Sequence, residues 1–177
     1  MRVVAGTHRG RPLKAPPGRG TRPTADRVRE ALFSILGPVD AKHVLDLFAG
    51  SGALGIEALS RGAGSATFVE RDRRAAAIIR ANLDAIREDA EVVVADALRW
   101  LPRQSEAAFD LVLIDPPYDS AAAVGATLSE RLPPVLTPEG LIVTESDKRN
   151  PLILDLPLAD ERTYGDTRIA IHRASSR

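Results

Sequence analysis

Residues 46–55 read Asp46-Leu47-Phe48-Ala49-Gly50-Ser51-Gly52-Ala53-Leu54-Gly55. An apolar run over residues 44–48 precedes the glycines, and a helical pattern over residues 53–61 follows them, so this segment connects a buried strand to a helix. Glycine is needed where the backbone approaches a ligand closely or takes a positive φ. The spacing Gly50-x-Gly52-x-x-Gly55 therefore predicts a loop, including Phe48 and Ala49, that holds a nucleoside-containing cofactor.

Strand-like and helical patterns alternate after this loop. Short apolar runs, typical of fully buried parallel strands, occur at residues 44–48, 66–69, 92–95 and 111–114, with a fifth at 140–145. Helical patterns cover residues 53–61, 73–87, 97–101 and 122–132. This order predicts an α/β domain with a mostly parallel sheet, right-handed crossovers and helices on both faces. Residues 156–164 and 168–173 flank Gly165-Asp166-Thr167 and predict an antiparallel C-terminal hairpin.

The N-terminal part of the chain has a different pattern. Short β-prone pieces at residues 2–5 and 11–14 predict a small hairpin, and a helix is expected to start at Thr24 as N-cap and to end at Gly37-Pro38. We therefore expect two regions, an N-terminal extension over residues 1–38 and the α/β domain over residues 39–177.

Charge is distributed unevenly along the chain, although the net charge is zero. Residues 1–29 hold eight Lys or Arg and one acid, so they carry +7 and the rest carries −7. A basic arm on an acidic body predicts contact with a polyanion, and the alternative is that these are ordinary solvated charges. An alternative role for part of this segment is a lid that folds over the bound molecules, formed by Arg22, Thr24, Asp26 and Arg27. The candidates for phosphate contact are Arg9, Arg11, Arg19, Arg22, Arg27 and Arg29.

Acidic residues near the glycine loop narrow the kind of cofactor. Glu70 closes the second strand, 20 residues after Gly50, where a carboxylate can accept both hydroxyls of a ribose. Asp46 would repel a pyrophosphate but suits the ammonium of a methionine moiety, which favours S-adenosylmethionine over a dinucleotide. Asp96-Ala97, at the end of the third strand, is a candidate site for the adenine amino group, and Asp96 is equally a candidate N-cap of the next helix.

The tetrapeptide Asp115-Pro116-Pro117-Tyr118 ends the fourth strand, which places it beside the first strand at the switch point of the sheet. An exocyclic amine on an aromatic ring is a poor nucleophile because its lone pair is delocalised. The Asp115 carboxylate and the Pro116 carbonyl can hold its two hydrogens, and Tyr118 offers a face on which a flipped-out base stacks. The pattern predicts transfer of a methyl group to a nucleobase amine, with an alternative reading as a rigid turn.

Composition excludes several other classes. The chain has no cysteine, so disulfides, thiolate metal sites and cysteine nucleophiles are excluded. No apolar run approaches the ~18 residues of a membrane span, and we expect a cytoplasmic protein without membrane attachment. The predicted chemistry requires no metal, and the three histidines are scattered through the sequence.

Together these motifs resemble the class I methyltransferases. The N-terminal segments Arg2-Val3-Val4-Ala5-Gly6 and Arg9-Gly10-Arg11, and the segment from Arg22-Pro23-Thr24 to Leu32-Phe33, are similar to the bacterial RsmD family. That resemblance implies a seven-stranded sheet, S-adenosylmethionine as cofactor, and methylation of guanine N2 in 16S ribosomal RNA within the small subunit or its assembly intermediate. After Glu70 the family commonly has an apolar residue against the adenine, whereas this sequence has Arg71. Either the aliphatic stem of Arg71 packs on the adenine ring or another residue does so. We expect a monomer.

Three rival functions remain open from the residues alone. A DNA adenine or cytosine amino-methyltransferase shares every core motif, but the chain has no room for an added recognition domain. A nicotinamide-dependent oxidoreductase uses the glycine loop but not Asp115-Pro116-Pro117-Tyr118. A non-catalytic RNA-binding module needs only the basic arm, and the presence of Asp46, Glu70 and Asp115 speaks against it.

Overall fold

The computed structural model describes residues 1–16, 23–116 and 121–174. Within these residues a seven-stranded sheet forms the centre of the fold. Its order is β3-β2-β1-β4-β5-β7-β6, in which neighbours from β3 to β5 are parallel and β7 is antiparallel to both β5 and β6. The predicted α/β class and C-terminal hairpin are confirmed. The strands are β1 (His43–Leu47), β2 (Ser65–Glu70), β3 (Glu91–Val94), β4 (Phe109–Ile114), β5 (Leu136–Asp147), β6 (Leu158–Tyr164) and β7 (Thr167–Arg173).

Helices cover both faces of the sheet: α1 (Pro23–Leu36), α2 (Ala53–Ser60), α3 (Arg73–Ile86), α4 (Ala97–Trp100) and α5 (Ala121–Arg131). Alternation along β1 sends Val44 into one apolar cluster and Leu45 into the other. The first cluster includes Phe33 of α1 together with residues of α2 and α3, and the second includes residues of α4 and α5. The N-terminal extension therefore shares the core of the sheet on one face.

Strand order creates the crevice in which ligands bind. The chain runs outward from β1 to β2 and β3, and then returns to place β4 on the other side of β1. In open α/β sheets ligands bind at the carboxyl ends of the strands where the order reverses. Leu47 of β1 lies opposite Ile114 of β4, so the loops that follow these two strands meet at that point.

The helix ends lie within one residue of the predictions, and proline explains two of the differences. Helix α1 begins at Pro23 rather than after a Thr24 cap, because proline is favourable in the first turn of a helix. Helix α4 ends at Trp100, before a short 3₁₀ turn over Leu101–Arg103. Pro102 has no N–H to give to the carbonyl of Leu98, and the guanidinium of Arg131 donates to that carbonyl instead.

The N-terminal hairpin is small and closely bound to the domain. Arg2 and Pro12 form an antiparallel bridge, and the amide N–H groups of Val3 and Gly10 donate to the carbonyls of Arg11 and Val3, both at 2.9 Å. The predicted hairpin is therefore present. In the part of the chain that the structure describes, no helix is long and apolar enough to span a membrane.

Candidate active site

The loop between β1 and α2 has an unusual backbone. Phe48, Gly50 and Gly52 all lie in the left-handed region, with φ of 59°, 58° and 77°. This conformation is strained for a phenylalanine, and such strain concentrates at functional sites. At Gly55 a Cβ atom would lie 2.4 Å from Cε1 of Phe68, so α2 can approach the sheet only with glycine at this position.

The side chain of Asp46 holds the backbone that follows this loop through a hydrogen bond. Its side chain is buried, and its Oδ2 accepts the amide N–H of Gly55 at 2.9 Å. Burial raises the pKa of Asp46 well above its usual value; the N–H of Gly55 opposes this shift, and the charges of Asp115 and Glu70 reinforce it. The carboxyl therefore fixes the start of α2, and its predicted contact with an ammonium group stays a prediction.

Glu70 lies at the end of β2 with its carboxylate held in place by backbone groups. Its Oε2 accepts the N–H of Gly50 and its Oε1 accepts the N–H of Asp72, both at 2.8 Å. Each carboxylate oxygen has two acceptor positions, so lone pairs remain for further donors. The geometry suits a pair of neighbouring hydroxyl groups, as in a ribose.

A cavity of about 210 Å³ opens beside Glu70. Six predicted cofactor residues line it: Phe48, Gly50, Glu70, Arg71, Asp96 and Ala97. Sequence reasoning missed five others that share no motif, namely Pro16, Val69, Asp72, Ala75 and Ala95. Of the remaining predicted residues, Asp46 of β1 and Ala49 are buried, Gly52 is the N-cap of α2, and none of the three lines this cavity. Pro16 brings the N-terminal extension to its rim.

Asp96 and Arg71 occupy the part of the cavity predicted for an adenine. Asp96 is the N-cap of α4, and its Oδ1 accepts the N–H of Arg99 at 3.0 Å. The capping interpretation is therefore confirmed, and the same residue also lines the cavity. Arg71 is exposed, and its aliphatic stem is available to cover a ring bound in this cavity.

Asp115 and Pro116 follow β4 at the switch point, next to the end of β1. Asp115 is close enough to Asp46 to raise the pKa of that carboxyl, which places it on the side of the sheet where the glycine loop lies. Tyr118 lies outside the described residues, so its predicted stacking role stays a prediction.

Glu145 is a residue of this region that sequence reasoning did not single out. It lies near the end of β5, one residue past Thr144, and Thr144 is opposite Ile114 of β4. Burial and the nearby charge of Asp115 raise the pKa of Glu145 to about 8, and the positive charge of Arg29 opposes this shift. The rule that found Asp115, a polar residue at the end of a buried parallel strand, would have found Glu145 as well.

The predicted phosphate contacts separate into groups. Arg9, Arg11 and Arg27 are exposed, and no ion pair joins them to another described residue. Arg29 is buried with its side chain 4% exposed; it contacts Asp26 at 2.9 Å and Glu57 at 3.4 Å. We therefore do not retain Arg29 as a phosphate ligand, because its charge is already neutralised inside the protein. Arg19, Arg22 and the side chain of Thr24 lie outside what the structure describes.

Glu57 explains why Arg29 is buried. This carboxylate in α2 is fully buried, and it accepts the N–H groups of Val4 and Ala5 at 2.8 and 2.9 Å. The guanidinium of Arg61 donates to the same carboxylate at 2.8 Å. Glu57 thus binds the hairpin and α1 to the domain.

The sheet order, with an antiparallel strand inserted between β5 and β6, is that of the class I methyltransferases. Within the described residues, no group of three or more His, Cys, Asp or Glu side chains is arranged to hold a metal ion.

Comparison with known proteins gives the family. The chain belongs to the family described as Conserved hypothetical protein 95, whose model matches residues 1–173. It is 40% identical over 172 residues to Ribosomal RNA small subunit methyltransferase D of Haemophilus influenzae, covering 93% of this chain and 89% of that protein. The resemblance to the RsmD family is confirmed.

Solved structures agree with this assignment. The yhhF structure from Escherichia coli is 34% identical, has a TM-score of 0.81, and is covered over 99% of its length by 100% of this chain. A hypothetical protein of Thermus thermophilus is 31% identical with a TM-score of 0.82, over 98% of this chain and 99% of that one. The N-terminal hairpin and the C-terminal strands are therefore part of the fold that these proteins share.

Proposed function

We propose that this protein transfers a methyl group from S-adenosylmethionine to the exocyclic N2 of a guanine in 16S ribosomal RNA. The observation that carries the proposal is the position of Asp115-Pro116 at the switch point, where β4 ends next to β1 and the loop that follows β1 lines the cavity around Glu70. The name of the Haemophilus influenzae relative supports ribosomal RNA of the small subunit as the substrate.

The residues around the cavity fit S-adenosylmethionine. Glu70 has free acceptor positions for the two ribose hydroxyls, and Asp96 and Ala97 border the space for the adenine. Gly50, in the loop after β1, lines the same space. When bound, this cofactor supplies a methyl group on a positively charged sulfur, which is open to attack by a nitrogen lone pair.

Asp115 and Pro116 prepare the target nitrogen. The Asp115 carboxylate and the Pro116 carbonyl accept the two N2 hydrogens, which draws the lone pair out of conjugation with the ring. N2 would take the methyl group as the methyl–sulfur bond breaks and sulfur keeps its electron pair; N2 then gains positive charge, and its surplus proton passes toward the Asp115 carboxylate. These steps need neither a metal nor a covalent enzyme intermediate.

The basic hairpin supplies the RNA contact in this proposal. Arg9, Arg11 and Arg27 are exposed cations on a rigidly docked extension, and Pro16 connects that extension to the cavity. Phosphate contacts at fixed positions are suited to recognition of the shape of an RNA.

The decisive experiment is methylation with tritiated S-adenosylmethionine. The substrates are small ribosomal subunits from a strain lacking the gene, naked 16S RNA, and DNA. We expect label in subunit RNA that digests to N2-methylguanosine. Label in DNA would mean that DNA is the substrate of the same methyl-transfer reaction. No label in any substrate, with active controls, would favour a non-catalytic RNA-binding module.

Replacing Glu70 by alanine should weaken S-adenosylmethionine binding about 10- to 100-fold, because charge-assisted hydrogen bonds to the ribose are lost. Isothermal titration calorimetry measures the dissociation constant directly. Glu70→Gln, which keeps one acceptor oxygen, should lose less. The matched control is Glu106→Ala, because Glu106 is exposed and lies outside the cavity lining. An unchanged constant in Glu70→Ala would remove Glu70 from the site.

Replacing Arg9, Arg11 and Arg27 together by glutamine should weaken RNA binding and flatten its salt dependence. Each lost phosphate contact lowers the slope of log K against log salt by about 0.7 to 0.9. Filter binding to small subunits between low and moderate salt measures this slope. A matched control neutralises Arg149, Arg162 and Arg173, which are exposed on the C-terminal part of the chain. If both triple variants change the slope equally, the hairpin has no special role.

A further inference from the structure

Glu145 lies beside Asp115 at the carboxyl edge of the sheet. Ile114 and Thr144 are opposite each other in neighbouring parallel strands, so the next residue of each, Asp115 and Glu145, comes to the same level. The charge of Asp115 accordingly contributes to the raised pKa of Glu145.

Both carboxyl groups lie on the same face of the sheet. Leu113 and Val143, two residues earlier in each strand, belong to the apolar cluster that includes α1. Because side chains alternate along a strand, Asp115 and Glu145 are directed to that face as well. The guanidinium of Arg29, from α1, is the cation whose charge reaches Glu145 there.

Few structural contacts hold the side chain of Glu145. It is only partly buried, and among the described residues no hydrogen bond holds its carboxyl group. Arg29, the neighbouring cation, already contacts Asp26 and Glu57. A carboxyl that no hydrogen bond to another described residue holds, on a partly buried residue one strand away from Asp115, is placed to meet what Asp115 binds.

The chemistry of guanine supplies that partner. If Asp115 and Pro116 hold the N2 amine, the neighbouring atom on the base edge is N1, which carries a hydrogen in guanine and only a lone pair in adenine. A carboxyl group keeps an acceptor oxygen in both protonation states. In its neutral form its O–H can also donate to the guanine O6, as the amide of a glutamine can.

We propose that Glu145 accepts the N1 hydrogen of the target guanine and so selects guanine as the base to be methylated. This inference rests on the proposed function, since it takes the N2 amine at Asp115 as given. Glu145 contacts the substrate and not S-adenosylmethionine, so its replacement changes the choice of base without changing cofactor affinity.

The test uses 1-methylguanine, in which a methyl group fills the space that the Glu145 side chain would occupy. Small subunits are assembled from 16S RNA that carries guanine or 1-methylguanine at the mapped target position. We expect the wild type to prefer guanine in kcat/KM by about 100-fold or more. Glu145→Ala should reduce that preference to about tenfold or less, because the space is opened and the N1 contact is lost.

Three further variants make the outcome decisive. Glu145→Gln should still methylate guanine and reject 1-methylguanine, since its amide has the same shape and an acceptor oxygen. Glu145→Ser provides the small side chain if urea unfolding shows that alanine disrupts the fold. Glu139→Ala is the matched control, because Glu139 is an exposed glutamate of the same strand.

Two results would overturn different claims. A small-side-chain variant that rejects 1-methylguanine as sharply as the wild type removes Glu145 from base selection. Calorimetry showing weakened S-adenosylmethionine binding in Glu145→Gln would also contradict the proposal. A wild type that leaves guanine subunits unmethylated contradicts the proposed function instead, so the two failures are distinguishable.

Discussion

Replacing Asp115 by alanine is expected to lower the rate of methyl transfer by about 1000-fold, while S-adenosylmethionine binds nearly as before. The loss follows because the target nitrogen would have one acceptor in place of two and no carboxylate to receive its proton. Single-turnover assays with small subunits measure the rate, and calorimetry without RNA measures cofactor affinity.

Asp115→Asn separates the two duties of this side chain. Asparagine keeps an oxygen that accepts one N2 hydrogen but loses the negative charge, so its rate should fall between the wild type and alanine. Cofactor binding lost in parallel with activity in both variants would mean that Asp115 serves the cofactor instead of the target base.

Replacing Glu57 by alanine is expected to lower the free energy of unfolding by about 3 to 5 kcal/mol. The substitution leaves Arg29, only 4% exposed, with Asp26 as its one remaining carboxylate partner among the described residues. It also leaves the N–H groups of Val4 and Ala5 and the guanidinium of Arg61 without the acceptor that they share. Urea unfolding followed by circular dichroism measures the change. RNA affinity should fall as well, because the basic hairpin loses its anchor on α2.

The matched control for Glu57 is Glu130→Ala, an exposed helical glutamate that should change stability by less than about 0.5 kcal/mol. The double replacement of Glu57 and Arg29 by glutamine and methionine should recover part of the loss, since the buried guanidinium is removed together with its carboxylate and the glutamine oxygen still accepts a backbone N–H. A Glu57→Ala protein as stable as the control would contradict the role of this carboxylate as an anchor.

The parallel strands and the glycine loop could be predicted from the sequence because the residues that indicate them are close together along the chain. A buried strand, a glycine turn and a helix stand next to each other in residues 43–60, and the acid of β2 follows at a spacing set by one crossover. The position of Asp115 followed from topology, since strand order in such sheets is strongly restricted.

Contacts between residues far apart in the sequence could not be predicted from it. Glu57 in α2 appears in the sequence as a lone acid in an apolar helix, and its partners Val4 and Ala5 are more than 50 residues away. Arg29 was taken for a surface cation for the same reason, because nothing nearby in sequence indicates that its helix face is buried. Charge counting alone does not separate such internal ion pairs from a nucleic-acid surface.

Some strand and helix ends also lie at other residues than predicted. At these ends an irregular pairing or a proline overrides the pattern of apolar residues. β5 begins at Leu136, four residues before the predicted start, and its pairing with β4 shifts register between Phe109 and Leu111. The irregularity hides the strand's first residues from a period-2 pattern. Pro102 and Pro23 moved the helix ends in a way that proline chemistry explains once the neighbours are known.

The docking of the N-terminal hairpin bears on how this enzyme family can diverge. Glu57 bonds the amide groups of Val4 and Ala5, and Asn82 bonds the amide and carbonyl of Lys14. These contacts recognise main-chain atoms, which every residue type except proline supplies alike. The exposed side chains of the hairpin are therefore free to vary without loosening it. The side chains of an RNA-contacting surface can change by point mutations, or by exchange of the whole hairpin, while the catalytic domain stays unaltered.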